Sequence, residues 1–126
     1  MELYYYHAFV KDVYDGDSVT LDIDLGFNTL LKDQKVRLYG INAPEIKGYT
    51  RPEGIISRDW LRNKILHKNI IIRTRRSKKY MFDLKLSKNH KKGKFGRWVA
   101  SIFIGSDIAS VNEESVRLGF AVERIY

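Results

Sequence analysis

The sequence contains no cysteine, only two prolines and no apolar run long enough to cross a bilayer. Without cysteine, disulfides, thiolate metal sites and a cysteine nucleophile are all excluded. A membrane-spanning helix needs about 20 predominantly apolar residues, so we expect no membrane association. The N-terminal residues also lack the basic region and apolar stretch of a signal peptide. We therefore expect a soluble, cytoplasmic protein.

The chain has 126 residues, of which 44% are hydrophobic, and its aromatic residues comprise two Trp, eight Tyr and six Phe. This length and composition suit one hydrophobic core. The sequence contains no internal repeat and no linker rich in Pro, Gly or Ser. We expect a single domain over residues 1–126 and a monomer.

The net charge of +8 is unevenly distributed along the chain. Residues 1–25 hold six acidic side chains against the single base Lys11, whereas residues 73–97 hold eleven Lys or Arg against the single acid Asp83. A polyanion would be attracted to the second segment and a cation to the first. A basic run is most often a solubilising surface, but together with clustered carboxylates it favours a phosphate-handling site.

Alternating apolar residues predict a half-buried strand at residues 19–25. A tight turn at Asp15-Gly16-Asp17 precedes this strand, and a second turn at 24–28 leads into an antiparallel return that includes 36–39. Three further extended segments are predicted, at 70–74, 98–104 and 120–126. With two helices, these strands indicate a β-rich α+β domain that is compatible with a five-stranded, partly open barrel. Periodicity alone leaves other small α+β folds open.

Two helices are predicted from capping signals and apolar spacing. The first begins near Pro52 and continues through His67. Its expected apolar face consists of Ile56, Trp60 and Ile65. The second follows Ser110-Val-Asn-Glu113, which matches a capping box, and ends at Leu118 before Gly119.

Three short stretches carry side chains suited to phosphodiester chemistry. They are Asp15-Gly-Asp-Ser18, Val36-Arg-Leu-Tyr-Gly-Ile-Asn-Ala-Pro-Glu45 and Gly93-Lys-Phe-Gly-Arg97. Carboxylate and amide oxygens suit a hard cation, two guanidinium groups suit a phosphate, and a free carboxylate can accept a proton from water. Each stretch alone is common in ordinary turns and surfaces, so the specific signal is their combination and order.

In that order and spacing, the chain resembles the staphylococcal nuclease family from about residue 8 to its C-terminus. The resemblance also includes Val111-Asn112 and Gly119-Phe-Ala121. It implies an OB-fold, five-stranded β-barrel with two flanking helices. It further implies Ca²⁺-dependent hydrolysis of DNA and RNA phosphodiesters with little sequence specificity. The compact length and the Asp24-Leu-Gly-Phe27 segment resemble phage and prophage members.

The resemblance assigns the metal to three positions. Asp17 would be the principal carboxylate ligand, Ala43 would contribute its backbone carbonyl, and Asn42 stands where the family usually has a second metal-binding Asp. An amide can still coordinate through oxygen but removes one negative charge. Because ligand charge tunes Ca²⁺ affinity, we expect weaker metal binding and a reduced rate.

The resemblance also assigns three catalytic roles. Glu45 would act as the general base toward the attacking water. Arg37 would bind the phosphate and stabilise the transition state, and Arg97 would do the same while assisting the departing oxygen.

The basic segment is expected to contact the nucleic acid through Lys92, Lys94 and Phe95. Phe95 replaces the family's Tyr before Gly-Arg, which deletes a hydroxyl and keeps an aromatic face. Because bases stack on exposed aromatic rings, single-stranded DNA or RNA should be preferred. The sequence does not decide between DNA and RNA.

Two alternatives to an enzyme remain open at this point. A catalytically weak or inactive OB-fold could simply bind single-stranded nucleic acid, as degenerate members of this family do. Those members commonly lose the Arg and Glu positions, which are all retained here. A purely structural or protein-binding domain would leave the segregated charge unexplained.

Overall fold

Three consecutive strands form an antiparallel meander at the start of the fold. A computed structural model of the chain describes residues 4–74, 82–83 and 97–124. Strands β1 (Tyr5–Asp15), β2 (Ser18–Asp24) and β3 (Leu30–Leu38) pair in sequence order. Alternate residues of β2 are buried, as its apolar period requires. The strand predicted at 19–25 and both turns around it are therefore confirmed.

The meander closes into a barrel through two later strands. Strand β5 (Asn69–Thr74) pairs antiparallel with β1, and β7 (Arg97–Phe103) pairs antiparallel with β5. Strand β7 then runs parallel to β3, which closes a five-stranded barrel in the order β3-β2-β1-β5-β7. The predicted OB-type barrel is confirmed.

Within the described ranges, three short strands lie outside the five barrel strands. Strand β4 (Ile41–Asn42) pairs antiparallel with β8 (Val122–Glu123) in a separate two-stranded sheet. Strand β6 (Phe82–Asp83) pairs with the beginning of β7. The pairing of β4 fixes the chain just after β3, where the candidate site residues lie.

Helix α1 (Arg51–Ile65) connects β4 to β5 after a 3₁₀ turn at Gly48–Thr50. Pro52 lies in its first turn, as expected. The predicted apolar face is wrong at Ile56, whose side chain is 58% exposed. The buried face instead contains small residues near the helix start and Leu61 and Ile65 further along.

Helix α2 (Val111–Arg117) packs on β7. The Ser110 hydroxyl accepts a hydrogen bond from the Glu113 backbone N–H at 3.0 Å and lies 3.3 Å from its carboxylate. The predicted N-cap at Ser110, with Glu113 at the third helical position, is therefore confirmed.

The hydrophobic core fills the barrel and extends to both helices. Its large, fully buried apolar side chains are Val10, Val13, Leu21, Val36, Leu38, Leu61, Ile65, Ile70, Ile72 and Ile102. Within the described part of the chain, no helix has the length and apolar character that a membrane crossing requires.

Candidate functional site

Four chain segments meet at one end of the barrel. The β1–β2 turn, Asp15 to Ser18, lies beside the end of β3, because Ser18 and Arg37 are paired across the β2–β3 ladder. The loop that follows β4 and the first residue of β7, Arg97, contribute the remaining side chains. Barrel closure therefore brings together residues that are far apart in the sequence.

The Asp17 carboxylate is buried and held through both oxygens. Its Oδ2 atom accepts a hydrogen bond from the Ala43 backbone N–H at 2.9 Å and lies 3.4 Å from Nη1 of Arg37. Its Oδ1 atom accepts a hydrogen bond from the Ser18 hydroxyl at 3.2 Å. The carboxylate is thus fixed between the turn that carries it, strand β3 and the following loop.

Arg37 is only 6% exposed, although its guanidinium is permanently charged. Its Nη2 atom donates a hydrogen bond to Oδ1 of Asn42. Its Nη1 atom is buried near Asp17 and has no hydrogen-bond partner among the described residues. Nη2 is therefore held by Asn42, whereas Nη1 makes no hydrogen bond within the described residues.

Arg97 joins the same cluster through a serine. Its Nη1 atom donates a hydrogen bond to the Ser18 hydroxyl at 2.9 Å, and that hydroxyl in turn donates to Asp17. From the sequence, Ser18 was expected only to complete the Asp-Gly-Asp-Ser turn. Its position in that motif is the only sequence signal that could have identified it.

Asp15 is a second carboxylate on the same turn, and its Oδ1 atom accepts a hydrogen bond from the Asp17 backbone N–H at 3.0 Å. Burial, followed by the nearby charge of Asp17, raises the pKa of Asp15 to about 6. Two carboxylates therefore lie close together where water is partly excluded. The sequence motif contained Asp15 but did not predict this perturbation.

Glu45 is on the same loop as Ala43 but outside this hydrogen-bonded cluster. Its side chain is 70% exposed, and its carboxylate lies 3.9 Å from the Lys47 ammonium group. No hydrogen bond within the described chain connects Glu45 to Asp17 or Arg37. The expected contacts of Lys92, Lys94 and Phe95 fall outside the described residues.

The donor atoms around Asp17 are chemically suited to a hard divalent cation. The Asp17 carboxylate, the Asn42 amide and the Ala43 carbonyl all offer oxygen, which Ca²⁺ and Mg²⁺ prefer. An amide oxygen has two lone pairs, so the hydrogen bond from Arg37 still leaves Asn42 one for a cation. The described residues contain no group of three or more His, Cys, Asp or Glu side chains arranged for a metal.

The closed barrel and its cluster of two arginines and two aspartates define a small barrel protein with a polar site at one end. A family model described as staphylococcal nuclease homologue matches residues 35–126, which is more than half of the chain. The chain therefore belongs to the staphylococcal nuclease homologue family. The matched range includes Arg37, the loop from Asn42 to Glu45, and Arg97, whereas Asp17 precedes it. No curated protein matches the chain.

Proposed function

We propose that this protein is a Ca²⁺-dependent nuclease that hydrolyses phosphodiester bonds of DNA and RNA with little sequence specificity. The observation that carries the proposal is the buried Arg37 guanidinium, which is anchored on Asn42 while its Nη1 donor has no hydrogen-bond partner in the described chain. Nη1 lies 3.4 Å from the Asp17 carboxylate, but this ion pair leaves its N–H groups without a hydrogen bond, and a buried N–H without an acceptor is unfavourable. A phosphate oxygen is the acceptor that best suits a guanidinium at this position.

The position of Arg97 also supports a phosphodiester substrate. Arg97 is connected to Asp17 through the Ser18 hydroxyl, so both guanidinium groups are held around one carboxylate. Two arginine side chains in fixed positions can stabilise the charge that develops on a phosphodiester during cleavage. In this proposal Arg37 binds the phosphate, and Arg97 stabilises the departing oxygen.

Asp17, the Asn42 amide oxygen and the Ala43 carbonyl would hold the cation. The cation would supply positive charge that neutralises the phosphate oxygens during hydrolysis. The burial of Asp17 and its hydrogen bonds to Ala43 and Ser18 restrict its side chain before any ligand arrives. Such preorganisation lowers the cost of ordering the site.

Glu45 would be the general base that accepts a proton from the attacking water. Among the described residues, its exposed carboxylate is paired only with Lys47, at 3.9 Å, and the oxygens are accessible to water and to a substrate. A carboxylate can act as a base when it lies within hydrogen-bonding reach of the water in the complex. Apo geometry is often looser than that of the complex, and we expect Glu45 to approach the phosphate when nucleic acid binds.

The nucleic acid would be held by the basic segment that includes Lys92, Lys94 and Phe95. The net charge of +8 favours a polyanion, and affinity should fall as the salt concentration rises. Phe95 would stack on an unpaired base, which is why single strands should be preferred to duplexes.

A second candidate function is nucleic-acid binding without cleavage. It is favoured by Asn42, which provides a neutral amide beside Asp17 and whose oxygen already accepts a hydrogen bond from Arg37. Lower negative charge in the site would weaken cation binding. A barrel of this type could then retain its affinity for single strands and lose the chemistry.

Cleavage assays distinguish the two functions. The purified chain is incubated with single-stranded DNA or RNA in the presence of Ca²⁺, Mg²⁺ or a chelator. Glu45→Gln and Arg97→Ala are compared with the surface controls Glu53→Gln and Arg117→Ala. We expect Ca²⁺-dependent cleavage that both site variants lose and both controls retain. Salt-sensitive binding without cleavage under any cation would instead establish the binding module.

A further inference from the structure

The turn that carries Asp17 packs directly against helix α1. A Cβ atom added at Gly16 would lie 2.0 Å from Oγ of Ser57 and 2.6 Å from Cβ of Ala43. Both distances are far shorter than ordinary carbon contacts, so only glycine allows this approach. Ser57 is 1% exposed, and its hydroxyl has no hydrogen-bond partner among the described residues.

The backbone of Glu45 packs against the same helix. A Cβ atom added at Gly54 would lie 2.3 Å from the carbonyl oxygen and 2.6 Å from the carbonyl carbon of Glu45. Glycine inside a helix is less favourable than alanine. Its presence at this buried position is explained by the close approach of the Glu45 backbone.

Gly54 and Ser57 are three residues apart and therefore lie on one face of α1. We propose that this face is the positioning element of the site: Ser57 sets the position of the Asp17 turn, and Gly54 sets the backbone position of Glu45. The inference rests on the proposed function, in which Asp17 and Glu45 act on one phosphodiester. Gly54 and Ser57 are positioning residues and do not contact the substrate themselves.

The size of the side chain at position 57, rather than its hydroxyl, decides the outcome. A buried hydroxyl without a partner is unfavourable, so the hydroxyl does not itself hold the turn. Ser57→Ala removes the hydroxyl and leaves the turn in place. Ser57→Thr keeps the hydroxyl but adds a methyl group in a fully buried side chain beside Gly16, which displaces the turn.

The test compares Gly54→Ala, Ser57→Thr and Ser57→Ala with the control Ile56→Ala, which changes an exposed side chain on the same helix. The kcat and KM are measured on single-stranded DNA with Ca²⁺, and folding is followed by urea denaturation. A displacement of about 1 Å at a site can cost about 100-fold in rate. We expect kcat to fall by about 10-fold to 100-fold in Gly54→Ala and Ser57→Thr, with little change in KM. Ser57→Ala should cleave at least about tenfold faster than Ser57→Thr.

Backbone amide resonances provide a readout that does not depend on cleavage. Ser57→Thr should shift the amides of residues 15–18, and Gly54→Ala should shift those of residues 43–46, more than Ile56→Ala does. If the unsubstituted chain does not cleave, the proposed function fails and these resonances alone decide the inference.

Three results would overturn the positioning role. The first is that Gly54→Ala and Ser57→Thr fold and cleave as fast as Ile56→Ala. The second is the absence of the expected amide shifts. The third is failure of both variants to fold, because these residues would then serve stability alone.

Discussion

Arg37 and Asn42 form a hydrogen bond in which Nη2 of the guanidinium donates to the amide Oδ1. The other terminal nitrogen of Arg37 lies 3.4 Å from the Asp17 carboxylate. The guanidinium therefore lies between one charged and one neutral acceptor. The neutral amide at position 42 leaves the positive charge of Arg37 beside one carboxylate, that of Asp17. A carboxylate at position 42 would place a second negative charge beside the same guanidinium.

The substitution Asn42→Asp should tighten Ca²⁺ binding by about tenfold and raise the cleavage rate, because ligand charge controls Ca²⁺ affinity. The new carboxylate would also strengthen the contact with Arg37 through a charge-assisted hydrogen bond. Calorimetric titration with Ca²⁺ and initial cleavage rates measure both effects. Asn69→Asp on an exposed position of β5 is the control. Unchanged affinity and rate would remove Asn42 from the metal site.

Ser18→Ala should lower kcat by about tenfold, since it disconnects Arg97 from the Asp17 carboxylate and both groups lose a fixed partner. The free energy of unfolding should fall by about 1 kcal/mol with the lost hydrogen bonds. Ser18→Thr retains the hydroxyl and should retain most of the rate. Steady-state cleavage kinetics and urea denaturation test the prediction, and equal kcat values for Ser18→Ala and Ser18→Thr would contradict it.

Asp15→Asn should stabilise the folded protein at neutral pH. Burial and the charge of Asp17 raise the pKa of Asp15 from 3.8 to about 6. The folded state therefore binds a proton at Asp15 more strongly than the unfolded state, and its free energy of unfolding falls as pH rises between about 4 and about 6. Because the side chain is partly exposed, we expect a gain of about 1 kcal/mol at pH 7.

Urea denaturation of the Asp15→Asn variant and the unsubstituted chain, in the presence of chelator, measures this effect. The two free energies of unfolding should be similar near pH 4 and should diverge as the pH rises toward 7. Asp59→Asn on the exposed side of α1 is the control. A constant difference across this pH range would show that Asp15 does not titrate as described.

Most of the fold could be predicted because the apolar residues of β2 and β7 alternate along the sequence and β5 contains a run of β-branched residues. Strand β1 could not, because register shifts between Val10 and Asp12 and again between Val13 and Asp15 interrupt its alternation. The buried face of α1 was mispredicted at Ile56 for a different reason. That face packs on the site segments through Gly54 and Ser57, and small residues carry no hydrophobic signal.

The candidate site was only partly predictable. Motif order identified Asp17, Arg37 and Asn42, which are joined by contacts in the structure. The connection of Arg97 to Ser18 spans 79 residues and arises only when β7 closes the barrel. The raised pKa of Asp15 likewise depends on burial, which the local sequence of the turn does not encode.

Asn112→Ala should destabilise the protein by about 3 kcal/mol, because the buried Ile102 N–H would lose its acceptor and two backbone carbonyls would each lose a donor. The Asn112 side chain is buried, and its Oδ1 atom accepts a hydrogen bond from the Ile102 N–H at 3.0 Å. Its Nδ2 atom donates to the carbonyl oxygens of Tyr39 at 2.9 Å and Ala100 at 3.2 Å. Asn112 therefore joins α2 to β7 and to Tyr39, the residue that follows β3 in the parallel pair that closes the barrel. Urea denaturation should show this loss, whereas the exposed control Asn69→Ala should change the free energy of unfolding by less than about 0.5 kcal/mol. Equal stabilities of the two variants would mean that barrel closure does not depend on Asn112.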